Sequence, residues 1–413
     1  MFLALNYFFL LGAVQYFYVG ELFAYYSFKS EFDAVKLCAS LIAILVFYNL
    51  FQAHGVVKAY TQVLLAAILI PSLVIFTFGG GSYDYFLITI AGCFIVLFIA
   101  NFYKPKAVVT KQLDEQVILR LLSCLAIAYV LSIFAMGGAA YLNFNIAKVY
   151  DFRDSASENL PNIYRYISPV IGKIVVPMVV VISAIKKQYV YTVLGIVISV
   201  LIFGLTSHKS PLFYPIIILT LYYMPWKRFP YFLLLGCISI AFLSLIDFYF
   251  MQNGNNPLFG WFGTLLGRRV LLVPSNLNSI FIEFFSNNPV YLWSESKLSF
   301  GLIDMPYDLR APNLIGRVYY GDELTAANTG WIGSGFYNAR FTGVIIYSLL
   351  VGMLMAYFGA IAKRVGEKFV FGTSFVVLIT IFLSADFTTV ILTHGLVALL
   401  FLLLFFKRDS MLG

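Results

Sequence analysis

The sequence predicts an all-α polytopic membrane protein, and three observations predict it. Of 413 residues, 61% are hydrophobic and only 11% charged, against roughly 45–50% and about 25% in a soluble domain, which excludes a water-soluble enzyme. The mean hydropathy is +0.90. Unbroken apolar runs of about twenty residues recur along nearly the whole chain, enough to cross the bilayer as helices, whereas a β-barrel would alternate polar and apolar residues in segments of about ten.

Taken in order, the runs predict spans near 2–25, 34–53, 60–78, 84–103, 117–137, 167–185, 189–206, 211–225, 230–250, 341–362, 369–385 and 388–406. That makes about twelve. The last division turns on Ser384-Ala385-Asp386, which splits residues 369–406 into two short helices or into one span and a re-entrant piece. The first run begins at Phe2 without a basic leader or a small-residue cleavage site, and so reads as a retained span. Cys38, Cys93, Cys124 and Cys237 all lie in apolar runs, where a thiol behaves as a small hydrophobe. Neither a disulfide nor a metal site is expected.

Basic residues fix the expected orientation. Lys58, then Lys104, Lys106 and Lys111, then Lys186 and Lys187, Lys227 and Arg228, Lys363, Arg364 and Lys368, and finally Lys407 and Arg408 fall in successive even-numbered connections and the C-terminal tail. By the positive-inside bias these are cytoplasmic, with both termini inside. This topology accounts for part of the net charge of +8, so the basic balance implies no nucleic-acid partner.

Three regions follow: residues 1–250 with nine spans and an extracytoplasmic connection at 138–166, a long connection at 251–340, and the C-terminal spans at 341–413. A stretch of about 90 residues between the ninth and tenth spans far exceeds the needs of a helical hairpin and is expected to be a structured functional element. Within it, Leu277, Ile280, Phe281, Phe284 and Phe285 recur at helical spacing behind Pro274-Ser275. They predict an amphipathic helix lying against the membrane face.

The chemistry-bearing residues concentrate on the extracytoplasmic side. Arg268-Arg269 interrupts the apolar segment Trp261–Val273, and guanidinium groups held at an interface suit forked hydrogen bonds to phosphate. The alternative is snorkelling to lipid headgroups. Thr206-Ser207-His208-Lys209-Ser210 places hydroxyls, an imidazole and an ammonium at a helix end, a corner suited to an anion. Arg153, Arg165, Lys297, Arg310, Arg317 and Arg340 complete the cations. The extracytoplasmic carboxylates, among them Glu283, Glu295, Asp304, Asp308, Asp322 and Glu323, are candidates for a general base; Asp304 and Glu323 are the named ones, and sequence does not choose among them. Glu31-Phe32-Asp33 pairs two carboxylates as cation sites do, but such pairs are common. No P-loop or dinucleotide fingerprint appears, which argues against a nucleotide-driven pump or a transferase using nucleotide-sugars.

These residues together resemble the O-antigen polymerase (Wzy-type) family of oligosaccharide repeat-unit polymerases. Val149-Tyr150-Asp151-Phe152-Arg153, with Leu160-Pro161 and Lys173 to Pro177 beyond, is similar to the family's Tyr-x-x-Arg loop. Thr206 to Ser210 resembles its short basic corner. Arg268-Arg269 with Val273-Pro274-Ser275 and Phe284-Phe285-Ser286 resembles its long-loop motif, and Ala327-Asn328-Thr329-Gly330-Trp331-Ile332-Gly333-Ser334-Gly335-Phe336 its last. Arg340 stands where a small residue is expected before the aromatic, and no role is transferred to it.

The resemblance implies a metal- and cofactor-independent, GT-C-like glycosyltransferase of the bacterial inner membrane with its active site facing the periplasm. Its donor and acceptor would be undecaprenyl-pyrophosphate-linked oligosaccharides, and its partners membrane lipid and a polysaccharide chain-length regulator. Arg153, His208, Lys209, Arg268, Arg269 and Arg317 would bind pyrophosphate, and a carboxylate would take the acceptor proton. An O-antigen ligase shares this donor chemistry, and a lipid-linked oligosaccharide flippase or other transporter is the alternative from a different class.

Overall fold

A computed structural model describes residues 1–106, 112–145, 161–206, 208–254 and 260–406. The helices are α1 (Phe2–Leu22), α2 (Ala34–Leu50), α3 (Gly55–Phe78), α4 (Tyr83–Phe102), α5 (Glu115–Ala135), α6 (Tyr164–Ile185), α7 (Tyr189–Thr206), α8 (Lys209–Tyr223), α9 (Phe229–Asn253), α10 (Val273–Asn287), α11 (Ala311–Tyr320), α12 (Trp331–Val365), α13 (Glu367–Leu383), α14 (Phe387–Leu392) and α15 (Leu396–Leu404). Among the described residues the sole β-type pairing is a single bridge between Glu31 and Gly79.

Among the described residues, eight helices are long and apolar enough to cross a membrane: α1, α3 to α7, α9 with the turn before it, and α12. The four other expected spans are shorter. The helix α2 has 17 residues, α8 has 15 and α13 has 17, and the last apolar run is broken into α14 and α15 at Gly395, whose φ is +84°. Lipid as the surrounding solvent explains the packing. Along α2 only Ser40, Ala43, Ile44 and Phe47 are buried, while Val35, Ile42, Val46 and Leu50 stand exposed. An apolar surface of that extent is unfavourable in water and unremarkable against hydrocarbon.

Among the described residues, three helical stretches widen from α to π geometry two residues before a proline. The π turns are Leu65–Leu69 ahead of Pro71, Ile171–Val175 ahead of Pro177, and Gly263–Leu272 ahead of Pro274. Proline lacks the amide that would bond back four residues, and its ring crowds that carbonyl, so the preceding turn opens instead of ending. A fourth π turn, Gln15–Val19 in α1, has no such proline.

The helix α12 is continuous in sequence but not in space. Ala339 and Arg340 leave helical geometry, Arg340 with φ +48°, and residues 331–338 fold back against residues 341–348. A Cβ on Gly343 would come within 1.9 Å of the Gly335 carbonyl oxygen, and Trp331 Nε1 donates to Ser348 Oγ at 3.1 Å. The second arm thus starts at the turn, where the tenth span was placed, and a short helix folded back on it precedes it.

The chain divides into two compact units. The first comprises residues 1–104, 227–356 and 380–388, and the second residues 105–226, 357–379 and 389–413. In the first, α1 packs on α3 and α9, α2 on α3, and the Gly263–Leu272 segment on α9. The helix expected in the long connection is α10. Nine of the fifteen residues of α10 are buried, and the helix inserts against α3 and α4. Its polar side supports the insertion: Ser72 Oγ donates to Ser275 Oγ at 3.2 Å, Tyr85 OH donates to the Ser275 carbonyl at 3.0 Å, and Asn278 Oδ1 accepts from Thr329 Oγ1 at 2.7 Å and from the Gly333 amide at 3.1 Å. In the second unit, α6 packs on α5, α7 and α8. Tyr129 donates to Ser168 at 2.6 Å and Tyr164 to Ser132 at 2.7 Å there, and Trp226 Nε1 reaches Glu367 at 2.6 Å.

Candidate functional site

The π segment Gly263–Leu272 carries Arg268 into the first unit. Its start is fixed by Asp247 of α9, whose two carboxylate oxygens accept from the Gly260 and Gly263 amides at 2.9 and 2.8 Å. A carboxylate at a helix N-terminus satisfies otherwise orphaned donors and complements the helix dipole. Two glycines then allow close approach to α9, since a Cβ on Gly263 would meet the Phe248 ring at 2.8 Å and one on Gly267 would meet Ser244 Oγ at 2.4 Å.

Arg268 is 6% exposed. Its guanidinium carbon lies 4.2 Å from the ring centroid of Phe23 and 5.2 Å from that of Tyr26, and Tyr26 packs edge-on against Tyr320 at 5.4 Å. Its Nε is buried with no hydrogen-bond partner among the described residues. Burial, and after it the neighbouring Arg269, pulls its pKa below the ordinary arginine value, yet a guanidinium stays charged throughout the physiological range. Aromatic faces compensate a cation only partly. A guanidinium is a forked donor that can bind phosphate or carboxylate through paired hydrogen bonds. Arg269 beside it is exposed.

The other expected phosphate ligands are disposed differently. Arg153 falls outside the described residues. His208 and Lys209 stand at the start of α8 in the second unit. Arg317 of α11 is exposed and engaged as a fork by Asp308 at 3.0 and 2.8 Å, with Glu323 at 4.0 Å; the Arg317 hydrogen bonds hold the Asp308 carboxyl below its usual range. Of the named carboxylates, Asp304 and Glu323 are both exposed. Glu31 and Asp33 are not presented as a pair: Asp33 caps α2 by accepting from the Val35 and Lys36 amides at 2.7 and 3.1 Å, and Glu31 lies against Gly80. No group of three or more His, Cys, Asp or Glu side chains comes together among the described residues.

Two other carboxylates, Asp386 and the general-base candidate Glu295, lie near enough in the first unit for the charge of one to act on the other. Asp386 accepts from Tyr347 OH at 2.8 Å, from Asn338 Nδ2 at 3.3 Å, from the Thr388 amide at 2.8 Å and from the Thr388 hydroxyl. Trp293 Nε1 donates to Tyr347 OH at 2.7 Å, and the Trp293 amide to Asn338 Oδ1 at 2.9 Å. Glu295 accepts from the Ala311 amide at the start of α11. Burial pushes the Glu295 carboxyl up to about 7; the Ala311 amide and Arg310 pull it down, and Asp386 adds to the rise. The sequence signal for Asp386 is its isolation between two apolar runs.

No protein-family profile matches the chain, and neither the characterised proteins nor the solved structures include one similar to it.

Proposed function

We propose that the protein is a membrane-embedded glycosyltransferase that polymerises oligosaccharide repeat units carried on undecaprenyl pyrophosphate at the periplasmic face of the bacterial inner membrane. Twelve crossings in a GT-C-like arrangement and cytoplasmic termini belong to the same proposal, as does a chain-length regulator as partner. The observation that carries it is Arg268, a buried guanidinium caged by Phe23 and Tyr26, with an unpaired Nε. An anionic leaving group is what such a site stabilises best, because donors fixed in a low-dielectric setting need no reorganisation as charge develops.

In the proposed reaction a sugar hydroxyl of the incoming unit attacks the anomeric carbon of the growing chain. The bond to pyrophosphate breaks, its electron pair goes to the pyrophosphate oxygen facing Arg268 and Arg269, and the hydroxyl proton passes to a carboxylate. Polymer moves to the new unit, and undecaprenyl pyrophosphate leaves.

The test is to incubate the purified protein in lipid with undecaprenyl-pyrophosphate-linked repeat unit and chelator, without nucleotide, and to resolve the products on a gel. A ladder spaced by one repeat unit, lost in Arg268→Gln, is the expected result. Transfer of preformed polymer onto an added lipid-core acceptor, with no ladder, would assign a ligase instead; translocation without a new glycosidic bond would assign a transporter.

A further inference from the structure

On the first unit, the connection that cages Arg268 through Phe23 and Tyr26 continues to Lys29, which lines an open cleft of about 320 Å³ together with the Gly80–Asp84 turn and one side of α10. Its polar lining includes Lys29, Ser82, Asp84, Ser279, Glu283 and Asn287. The volume falls within the ~300–1,000 Å³ of small-molecule sites, though such sites are mostly apolar. Here Ile282 is the one apolar residue larger than glycine among those that line it.

The hydrogen-bonding groups of this cleft mostly face outward, with Lys29, Asp84, Glu283 and Asn287 exposed. Ser82 Oγ accepts from the Tyr85 amide at 3.1 Å, and Ser286 Oγ, on the same lining, donates to the Ile282 carbonyl at 2.7 Å. The side chains of Lys29, Asp84, Ser279, Glu283 and Asn287 make no hydrogen bond or ion pair with a described residue. Two carboxylates accept only, an ammonium donates only, and the amide and hydroxyls do both. A ring bearing several vicinal hydroxyls, each both donor and acceptor, matches that inventory. A phosphate does not, because two carboxylates face one ammonium.

Charge narrows the ligand further. Asp84 and Glu283 against Lys29 leave one net negative charge on the lining, and Glu31, whose carboxylate lies where a Gly80 Cβ would meet it at 2.6 Å, adds to it at the wall. The ammonium of Lys36 stands nearby, donating to the Gly81 carbonyl at 2.7 Å, so the balance over these five groups remains negative. A ring carrying its own carboxylate would meet like charge without compensation.

We infer that this cleft is a subsite for a non-acidic sugar ring, neutral or amino-bearing, beside the phosphate-binding arginine. As an acceptor subsite it rests on the glycosyltransferase reading, and it deepens that reading by stating what the acceptor sugar is. The connection Phe23–Lys29 touches both places, so an acceptor ring in the cleft and a pyrophosphate on Arg268 would lie on neighbouring parts of one surface.

The full-length protein in lipid nanodiscs can be probed by saturation-transfer-difference NMR with glucose, glucosamine and glucuronate, and separately by binding of undecaprenyl pyrophosphate. Saturation transfer to glucose and glucosamine but not glucuronate is expected. Ser279→Leu, which fills the cleft, should abolish it, and Glu283→Gln should weaken glucose about tenfold, as expected for losing a hydrogen bond to a charged group. The double variant D84N/E283Q should admit glucuronate. Undecaprenyl pyrophosphate binding should persist in all of these and fail in Arg268→Gln. Equal signals from glucuronate and glucose, or signals untouched by both Ser279→Leu and Glu283→Gln, overturn the inference, and absence of any sugar signal beside Arg268-dependent lipid binding overturns it while sparing the glycosyltransferase reading. Cleft-dependent sugar signals from a protein that forms no glycosidic bond sink that reading and leave the sugar site standing.

Discussion

Trp331 Nε1 donates to Ser348 Oγ at 3.1 Å although the two residues are 17 apart in the chain. In a straight helix they would stand about 25 Å apart. The hydrogen bond therefore reports a hairpin inside what hydropathy reads as one long apolar stretch, closed by Gly335 on Gly343 and turned at Arg340.

The hairpin predicts a contrast between two glycines. Gly343→Val would place a side chain into the Gly335 backbone and should lower stability by about 3 kcal/mol or more, or prevent folding, as overpacking against an immovable backbone does. Gly236→Ala, in α9 with nothing within 4 Å of the added Cβ, should be neutral or stabilise by about 0.5–1 kcal/mol. Thermal midpoints in nanodiscs check both.

For Arg268, the fork matters as well as the charge. Arg268→Gln should reduce polymer formation by roughly 100-fold or more, the scale of losing one charge-stabilising donor. Arg268→Lys should recover only part of that, since an ammonium is not a fork. Arg269→Gln, exposed beside it, should cost less than Arg268→Gln. Polymer yield at equal protein level is the measurement, and equal losses for all three variants would count against the cage.

Pro274 should control the same arginine from a distance. Restoring an amide with Pro274→Ala permits an α-helical bond back four residues and removes the reason for the π segment Gly263–Leu272. The turn would tighten and rotate Arg268 away from Phe23 and Tyr26. Weaker undecaprenyl pyrophosphate binding with an unchanged amount of folded protein is the expected outcome.

The Glu295 carboxyl gives a pH dependence with a definite sign. Its pKa is raised from 4.5 to about 7 in the folded protein, so between those values the folded state holds a proton that the unfolded state has released. Stability should then fall as pH rises through that window and level off above it. The change is on the order of 2 kcal/mol. Midpoints measured from about pH 5 to about pH 8 should show the slope, and Glu295→Gln should flatten it.

Asp386 should be the most costly polar residue to remove. Asp386→Ala leaves Tyr347, Asn338 and Thr388 with unmet donors, a loss of about 3 kcal/mol or more for a partly buried network. In a double-mutant cycle, Tyr347→Phe should couple to Asp386→Ala, because each removes the hydrogen bond between the two side chains.

Hydropathy located most of the helices because the apolar length needed to cross lipid is a local property. Tyr189–Thr206 has the predicted bounds, and the second arm of α12 begins where the tenth span was placed. What escaped is what depends on distant partners. The stretch Trp331–Asn338 is too short and glycine-rich to signal a helix on its own. Ser275 was legible only as a start signal, and its partners Ser72 and Tyr85, like Thr329 for Asn278, lie far off in the chain. The arginine pair stood out because an apolar segment surrounds it. Its cage did not, since Phe23 and Tyr26 lie some 240 residues earlier. Three of the π turns, by contrast, carried a readable sign in the proline two positions beyond.

The first unit is completed by a piece borrowed from far along the chain, residues 380–388. During synthesis, Asn338 and Tyr347 emerge well before Asp386, and the backbone at Gly330 waits for Phe382, whose carbonyl a Gly330 Cβ would strike at 2.0 Å. The hairpin is thus laid down early but locked late. A ribosome-bound chain stalled before residue 380 should expose Trp293 and Trp331 to quenchers that the released protein excludes, which makes assembly of the Asp386 network a checkpoint on synthesis having passed residue 388.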